Sequence, residues 1–348
     1  MKTDDFNFDL PERLIAQYPP ETRGASRLLV LDRASGNRTH ALVKDLSSFL
    51  EPGSLMVFND SKVRKARIYG IAADTGAKVE FLLLYPSLGA FAAGPSSLSW
   101  VTMTSKARKQ RAGKRYLFPE GLGGTIVDEL SGGEKIVEFD RAVGDEYLDR
   151  QGHIPLPPYI KRDDEQSDAE RYQTVYARVT GSAASPTAGL HFTPEILASL
   201  GTSGIGMEWI TLHVGLGTFL PVRVEEIEGH TMHSEWYSIS EQTAKAVNTA
   251  KAEGRKVAAV GTTSARTLES AWGRSGLPSC MSSTDIFIYP GYEFKVVDRL
   301  FTNFHTPRST LLMLVSAFAG RELILDTYRE AILSGYRFFN YGDAMLII

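Results

Sequence analysis

Four histidines in the C-terminal half of the chain stand in polar or glycine-rich segments of the kind that often carry active side chains. An imidazole exchanges a proton near neutral pH, so each of the four is a candidate general base or general acid. A structural histidine that bonds to the backbone is the alternative for each one. Together, the four favour an active site more strongly than any one does alone. They are His191, His213, His233 and His305.

The segment from His230 to Trp236 concentrates two imidazoles, a carboxylate and an indole. If it forms a strand, His233 and Glu235 point to the same face, and the carboxylate can orient the imidazole as a base. A zinc site is weakly supported, because His-x-x-His-x-Glu differs from the His-Glu-x-x-His pattern and Cys280 is the only cysteine. We therefore expect chemistry without a metal.

Two strands are predicted to end in glycine turns that a ligand can approach closely. Thr211–Phe219 contains neither Gly-x-Gly-x-x-Gly nor a P-loop, so dinucleotide and nucleoside triphosphate binding lack motif support. In Val257–Ser264 a strand runs through a glycine into a helix start. The helix dipole and unpaired amides favour an anionic or polar group there, and Thr262 and Thr263 add hydroxyls. An ordinary capping turn is the alternative.

The segment Ser182–Phe192 is rich in small residues and nearly uncharged, unlike an ordinary surface loop. Small residues let a substrate come close, and Ser185 and Thr187 offer hydrogen bonds. There is no Gly-x-Ser-x-Gly elbow, so a nucleophilic serine lacks its usual turn. Asn303 and His305 likewise come just before a predicted helix start. These loops predict a polar binding site in the C-terminal half.

A local excess of positive charge lies between Phe81 and Pro119, where the chain has no acidic residue. The whole chain has a formal net charge of −3, so it is not a generic nucleic-acid binder. A basic patch on a mildly acidic protein indicates an anionic macromolecular partner that docks at one place, and a solvated loop is the alternative. The cations of this basic run are Lys106, Arg108, Lys109, Arg111, Lys114 and Arg115.

The pattern of the chain predicts a layered α/β main domain with an inserted small antiparallel β-barrel domain. From Arg67 to Asp140, short β-branched or alternating runs are separated by Gly, Ser and Pro clusters, which indicates a barrel or sandwich. Strands and helices alternate after a proline-stiffened linker at 153–171. The apolar strand Leu55–Phe58 indicates that the first segment joins the α/β domain. We therefore assign 1–64 and 152–348 to the α/β domain and 65–151 to the barrel.

Start and stop signals place the elements of the C-terminal half. Thr193 before Pro194 and Ser240 before an apolar stripe are typical of helix caps. Helices are predicted at 194–201, at 241–254, from Thr262, from Thr306-Pro307 through Ala319 and at Arg321–Ser334, and strands at Met207–Val214, Lys256–Val260 and Asp285–Tyr289.

The composition is that of an ordinary globular protein. Of 348 residues, 43% are hydrophobic and 23% are charged. One cysteine allows no internal disulfide, which fits a reducing compartment. Met1–Asp9 has no secretory apolar segment, and the longest apolar run, Leu311–Ala319, is too short to span a membrane. We expect a cytoplasmic protein without a membrane partner.

Motifs along nearly the whole chain resemble one known family. They are Phe8–Glu12, Ala16–Pro19, Ser26–Leu29, Val57–Ser61, Tyr172–Ala177, Pro186–Thr193, Leu212–Phe219, Met232–Tyr237, Gly261–Ser264, Thr284–Tyr292 and Tyr341–Met345. From about Phe8 to Ile348 the chain is similar to the S-adenosylmethionine:tRNA ribosyltransferase-isomerases of the queuosine pathway. Lys62, Lys65, Ser185 and Leu220 depart from the usual pattern, and Leu220 stands where an arginine contact is common.

The resemblance implies transfer of the ribosyl part of S-adenosylmethionine to 7-aminomethyl-7-deazaguanine at the wobble position of the Asp, Asn, His and Tyr tRNAs. Adenine and methionine are released and epoxyqueuosine is formed. S-adenosylmethionine is consumed as a substrate, so neither a cofactor nor a metal is implied. The family also implies a monomer, and the basic run would hold the tRNA.

Within this reaction the sulfonium acidifies the C5′ hydrogens, so a single base can start the chemistry. His233 or His213 is the candidate base, with Glu235 orienting it, and His191 or His305 is the candidate proton donor to the leaving adenine. Phe192 and Phe219 are further aromatic candidates beside the sulfonium. The candidate S-adenosylmethionine ligands are Thr187, Gly189, Gly215, Gly217, Thr218, Trp236, Thr262, Thr263 and Asp285.

Two other functions remain open at this point. An S-adenosylmethionine-dependent RNA methyltransferase would release S-adenosylhomocysteine instead of adenine and methionine. A non-catalytic tRNA-binding module would use the basic run and leave the polar loops of the α/β domain unexplained.

Overall fold

The elements of this computed structural model, which describes residues 1–87, 96–215, 222 and 224–348, are numbered in chain order. The strands are β1 (Arg27–Leu31), β2 (Arg38–Leu42), β3 (Leu55–Asn59), β4 (Ser61–Val63), β5 (Arg67–Ala72), β6 (Lys78–Pro86), β7 (Ser96–Thr104), β8 (Arg115–Phe118), β9 (Leu122–Glu129), β10 (Lys135–Gly144), β11 (Val179–Ser182), β12 (Gly206–Leu212), β13 (Glu235–Ile239), β14 (Val257–Val260), β15 (Cys280–Thr284), β16 (Arg299–Asn303) and β17 (Ala344–Ile347). The α-helices are α1 (Asp145–Gln151), α2 (Asp168–Arg171), α3 (Pro194–Thr202), α4 (Glu241–Ala252), α5 (Thr262–Ala271), α6 (Thr310–Ala319) and α7 (Arg321–Leu333). Short 3₁₀ helices occupy Thr3–Phe6, Glu12–Leu14, Val43–Phe49, Ala107–Lys109, Pro119–Gly121, Ser131–Gly133, Thr187–His191 and Ile227–Gly229.

Strands β5 to β10 close into an antiparallel barrel in the order β10-β7-β6-β5-β8-β9. Aromatic rings fill its interior. The ring centroid of Phe81 lies 4.8 Å from that of Tyr116 and 5.1 Å from that of Phe118. Gly70 and Gly124 allow the backbone to approach Phe118, because a Cβ on them would lie 2.8 Å and 2.9 Å from its ring. The prediction of a small antiparallel barrel is confirmed.

The larger sheet has nine strands in the described part of the chain, in the order β15-β13-β12-β3-β14-β16-β17-β1-β2. Strands β12, β3, β14 and β16 are successive parallel neighbours, so their carboxyl ends meet at one edge. The first four residues of β3 are apolar because both faces of the sheet are covered. Leu55 and Val57 pack into one core, and Met56 and Phe58 pack into the core on the other face. The predicted layered α/β main domain is confirmed.

The chain leaves and re-enters the main domain near one place. There β4 pairs in parallel with β11, and Arg64 Nε donates to Asp145 Oδ1 of α1 across 2.6 Å. The segment predicted as a linker packs against the main domain, and its residues Ile154, Leu156 and Ile160 are buried. The domain boundaries at residues 64 and 152 stay a prediction.

The prediction of a strand at Asp285–Tyr289 is wrong. The strand is β15, which lies just before that segment and pairs with β13 at the edge of the sheet. An edge strand is open to water on one side, so its sequence is polar and Met281 is exposed. Asp285–Tyr289 is irregular chain, and its apolar residues still contribute to the core through Ile288.

The helix predicted from Thr306 begins later, at α6. Ser309 is its cap, because Ser309 Oγ accepts a hydrogen bond from Leu312 N at 3.1 Å. Arg308, with φ of 56°, adopts a left-handed conformation that keeps the preceding residues out of the helix. The predicted positions of α3, α4 and α7 are confirmed to within two residues at each end, and α5 begins at the predicted Thr262. Within the described ranges, no helix is both long and apolar enough to cross a membrane.

Candidate active site

A cavity of about 240 Å³ opens at the carboxyl ends of β14 and β16. Four short segments form most of its wall, at residues 185–188, 261–263, 302–309 and 339–340, with Tyr159, Val214 and Leu311 beside them. These segments are distant in the chain, and the parallel strands bring their ends together. Of the described wall residues, only Arg308 is a Lys, Arg, Asp or Glu. The cavity is therefore a polar site with little formal charge.

The first turn of α5 forms one wall of the cavity. Gly261 precedes it with φ of 88°, a conformation that favours glycine, and its N–H donates to Phe301 O at 2.8 Å. This bond fixes the turn against β16. Thr262 and Thr263 follow, and both line the cavity. The unpaired amides of a helix start favour a polar or anionic ligand group at this wall.

Asn303, the last residue of β16, forms the opposite wall. Its Nδ2 donates to Phe339 O at 3.1 Å and lies 3.0 Å from His191 Nε2. In the described part of the chain, no group hydrogen-bonds to its Oδ1 or to Ser185 Oγ, although both atoms are buried. Buried polar atoms are nearly always hydrogen-bonded in folded proteins. Two buried polar atoms without partners in the wall of one cavity indicate a site for a polar ligand.

His191 and His305 are both buried beside this wall, but only His305 lines the cavity. His305 Nε2 lies 2.9 Å from Thr302 Oγ1. Burial lowers the pKa of each imidazole to about 3. At neutral pH both rings are therefore uncharged. A neutral imidazole is a poor acid, so a donor role would require the bound substrate to raise the pKa, and the role of His191 or His305 as proton donor to adenine stays a prediction.

His213 follows β12 and stacks on Trp236, with ring centroids 5.0 Å apart and an interplanar angle of 21°. Burial is the main cause that lowers the pKa of His213 to about 4, with a smaller contribution from Arg64. Glu235 is the neighbour of Trp236 in β13 and therefore points to the opposite face of the sheet. The predicted pairing of Glu235 with His213 is thus excluded by the geometry of the strand.

The predicted pairing of His233 with Glu235 is also wrong. Strand β13 begins at Glu235, so His233 lies in the preceding loop and the alternation of a strand does not apply to it. His233 is exposed, whereas Glu235 is buried. His233 instead lies near Glu134 of the barrel. Burial raises the pKa of Glu134, and His233 opposes that shift.

Glu235 forms a buried ion pair with Arg266 of α5. Its other oxygen accepts a hydrogen bond from Gly215 N at 2.9 Å, and Arg266 Nε donates to Ile286 O at 3.2 Å. The pair therefore connects the turn after β12, helix α5 and the segment after β15. Glu235 has a structural role in the described contacts, since these hold the elements that carry the cavity.

The other predicted substrate ligands divide into three groups. Thr187, Thr262 and Thr263 line the cavity, whereas Trp236 and the exposed Asp285 are not in its wall. Gly189 and Gly215 also lie outside the wall. A Cβ on Gly189 would come 2.2 Å from the Tyr176 hydroxyl, so this glycine serves close packing. Gly217, Thr218, Phe219 and Leu220 lie outside the described residues, and Phe192 is buried in the core beside Phe58.

The basic run lies on the barrel and is mostly exposed. Arg111 pairs with Glu129 and Lys114 with Asp74, each across 3.3 Å. The remaining members have no ion-pair partner among the residues that the structure describes: Lys106, Arg108, Lys109 and Arg115. Part of the positive charge is therefore available to a partner, and part is already compensated within the barrel.

Sequence reasoning missed several wall residues, among them Tyr159, Phe339 and Asn340. Tyr159 belongs to the segment predicted as a linker, and its ring centroid is 4.5 Å from that of Phe339. Phe339 has φ of 70°, which is unusual for a residue with a side chain. The adjacent Tyr341–Met345 motif was the signal in the sequence that could have drawn attention to them. Among the described residues, no three His, Cys, Asp or Glu side chains are placed to hold a metal ion.

Comparisons with known proteins agree along the whole chain. Residues 3–347 match the family model described as "Queuosine biosynthesis protein". A Treponema denticola protein named S-adenosylmethionine:tRNA ribosyltransferase-isomerase is 54% identical over 353 residues, which is 100% of each chain. A Clostridium kluyveri protein of the same name is 49% identical over 350 residues, again 100% of each chain. The crystal structure of S-adenosylmethionine tRNA ribosyltransferase from Thermotoga maritima matches with a TM-score of 0.56 and 35% identity, over 99% of this chain and 100% of that one.

Proposed function

The chain belongs to the family of queuosine biosynthesis proteins, and from this premise we propose that it is an S-adenosylmethionine:tRNA ribosyltransferase-isomerase. It transfers and isomerises the ribosyl part of S-adenosylmethionine onto 7-aminomethyl-7-deazaguanine in tRNA and releases adenine and methionine. The observation that carries this proposal is the 54% identity, over the full length of both chains, with a relative of that name. The cavity supports it, because a buried, weakly charged wall with hydrogen-bonding groups is typical of a nucleoside site.

Within this reaction His305 is the general base. It is the histidine of the described cavity wall, and its neutral ring keeps one nitrogen without a hydrogen. A pKa of about 3 makes that nitrogen a weak base, so the base role requires the substrate complex to raise the pKa. If Nε2 carries the proton and donates to Thr302 Oγ1, then Nδ1 is free to accept one. The base would take a proton from C5′, the carbon beside the sulfonium. The α5 start, with Thr262 and Thr263, would bind the carboxylate of the methionine part.

The tRNA docks through the exposed cations of the basic run, and its modified base must leave the anticodon stack to reach the cavity. This part of the proposal extends to the Asp, Asn, His and Tyr tRNAs, to a monomeric enzyme in the cytoplasm and to catalysis without a metal or cofactor. The docking rests on the four cations without ion-pair partners in the described structure, Lys106, Arg108, Lys109 and Arg115. The tRNA identities, the monomeric state, the location and the absence of a metal or cofactor are proposed from membership of the family.

The test is incubation of the protein with S-adenosylmethionine and tRNA that carries 7-aminomethyl-7-deazaguanine at the wobble position. Chromatography should detect free adenine and methionine in equal amounts. The matched control is the same tRNA with guanine at the wobble position, which should give neither product. A methyltransferase would give S-adenosylhomocysteine, and a binding module would retain tRNA without turnover. No adenine above the control would overturn the proposed function.

A further inference from the structure

The side-chain amide of Asn303 has only one orientation compatible with its neighbours. Phe339 O is a carbonyl oxygen and can only accept a hydrogen bond, so the atom 3.1 Å from it must be Nδ2. The same Nδ2 lies 3.0 Å from His191 Nε2. Burial keeps His191 neutral, so one of its ring nitrogens carries no hydrogen, and because Nδ2 can only donate, that nitrogen is Nε2. Both hydrogens of Nδ2 are therefore used within the protein.

The carbonyl oxygen of the same amide remains without a partner. Asn303 Oδ1 is buried, and no group of the described structure hydrogen-bonds to it. Because Nδ2 is held by Phe339 and His191, the amide cannot turn to present a donor in place of Oδ1. Asn303 lines the cavity, and the one hydrogen-bonding atom of its side chain that is not already used is an acceptor.

The neighbouring wall is suited to a flat ring. The rings of Tyr159 and Phe339 are 4.5 Å apart, and both residues line the cavity beside Asn303. Aromatic side chains favour stacking with other rings. Phe339 provides both the backbone oxygen that orients Asn303 and one of the rings, so the acceptor and the aromatic wall are fixed to each other.

We propose that Asn303 is the residue that selects adenine in this cavity, by accepting a hydrogen bond from the exocyclic amine at C6, and that His191 is its positioning residue. This inference rests on the proposed function, which supplies S-adenosylmethionine as the substrate. A carbonyl oxygen at C6, as in hypoxanthine, would face Oδ1 with no hydrogen between the two atoms. The site therefore disfavours 6-oxopurines, because Oδ1 would receive no hydrogen bond and the two oxygens would repel each other.

The experiment compares binding of S-adenosylmethionine with that of S-inosylmethionine, in which oxygen replaces the C6 amine. Calorimetry on the unmodified protein should show about 100-fold weaker binding of the inosyl compound. Asn303→Leu should bind both compounds with similar affinity. His191→Gln keeps an acceptor for Nδ2 and should retain most of the discrimination, whereas His191→Leu should lose it. Asn248→Leu is the matched control, because Asn248 also bonds to the backbone but lies in α4 outside the cavity wall.

The ratio of the two affinities is the decisive quantity, since a general loss of folding would weaken both ligands alike. Equal affinities in the unmodified protein, or an unchanged ratio in Asn303→Leu, would overturn the inference. Adenosine, but not guanosine, should compete with S-adenosylmethionine. Equal competition would overturn the inference, and competition by guanosine alone would assign the site to the guanine-type ring of the tRNA instead. Adenine release from S-adenosylmethionine is measured separately. If adenine is released but the two ligands bind with equal affinity, only this inference is overturned. If no adenine is released, the proposed function is overturned.

Discussion

The cavity of the main domain and the basic run of the barrel treat polar groups in opposite ways. Around the cavity, Asn303 and His305 are buried, uncharged at neutral pH and bonded to neighbouring groups. On the barrel, Arg108 and Lys109 are exposed and charged, and their neighbours Arg111 and Lys114 form pairs near the surface.

This contrast shows why a buried wall and an exposed basic run suit ligands of different size. In a buried wall, each hydrogen bond is strong and an unmet one is costly, so the wall can distinguish small chemical groups. On an exposed surface, water and salt weaken each charge, so cations contribute affinity for a polyanion but little selectivity. Substitutions should therefore have large effects near the cavity and small, salt-dependent effects on the barrel.

The largest effect is expected for the buried ion pair behind the cavity. Glu235→Ala leaves Arg266 buried without its carboxylate, which should lower the free energy of unfolding by about 3–5 kcal/mol. The matched control is Asp74→Ala on the barrel, which removes the exposed partner of Lys114 and should leave the free energy of unfolding nearly unchanged. Urea unfolding measures both. Similar losses in the two variants would contradict the contrast between the two regions.

The next effect is a dependence of stability on pH. The pKa of His191 is about 3 in the folded protein, whereas an imidazole in the unfolded chain titrates near 6.5. Between these values the unfolded chain binds a proton that the folded protein does not, so stability is lost as the pH falls. From pH 8 to pH 4.5 the loss due to His191 should be about 3 kcal/mol.

Urea unfolding at the two pH values, compared between the unmodified protein and His191→Gln, measures this loss. The variant should lose about 3 kcal/mol less on acidification, since glutamine does not titrate. His40→Gln is the control, because it removes an exposed imidazole. An equal response of the unmodified protein and His191→Gln would show that His191 is not held neutral by burial.

The third effect is a difference in activity between variants of the cavity histidine His305 and of the exposed histidine His233. His305→Ala should lower kcat/KM for adenine release at least about 100-fold, which is the ordinary contribution of a general base. His233→Ala, at the exposed residue near the barrel, should change it by less than about threefold, since exposed substitutions away from a site have small effects. If His233→Ala has the larger effect, the base lies outside the cavity.

The smallest effect is expected on the barrel. Arg108→Gln and Lys109→Gln should each reduce the slope of log K for tRNA against log salt by about 0.7–0.9, with kcat unchanged at saturating tRNA. Arg111→Gln should reduce it less, because Glu129 already compensates that charge. Binding measured between about 50 and 200 mM salt separates these cases. Equal slopes for all variants would show that the run does not contact tRNA.

Local signals in the sequence were sufficient for most elements but not for the contacts between them. The caps Thr193 and Ser240 bond to amides three residues away, so helix starts could be read directly from the chain. The ion-pair partner of Glu235 could not be read from the sequence, because Arg266 becomes its neighbour only when β13 and α5 pack together. The neutral state of His305 likewise follows from burial, which no neighbouring residue indicates.

The same limit applies to the cavity. Thr187, Thr262 and Thr263 follow or precede recognisable turns, and the sequence indicated them as ligands that now line one wall. The rings of Tyr159 and Phe339 are in contact although the two residues are far apart in the sequence, so no local pattern could place them together. The run of polar loops predicted where a site lies, whereas the pairing of strands determines which side chains face into it.

The order of pairing in the main sheet also has a consequence for synthesis of the chain on the ribosome. The barrel strands are contiguous between Arg67 and Gly144, so the barrel can close as soon as they have emerged. Strand β3 precedes them but pairs with β12 and β14, and β17 must enter between β16 and β1. The apolar β3 therefore remains unpaired, with both faces and both edges uncovered, while most of the protein is translated. This interval is the period in which the nascent chain most needs a chaperone.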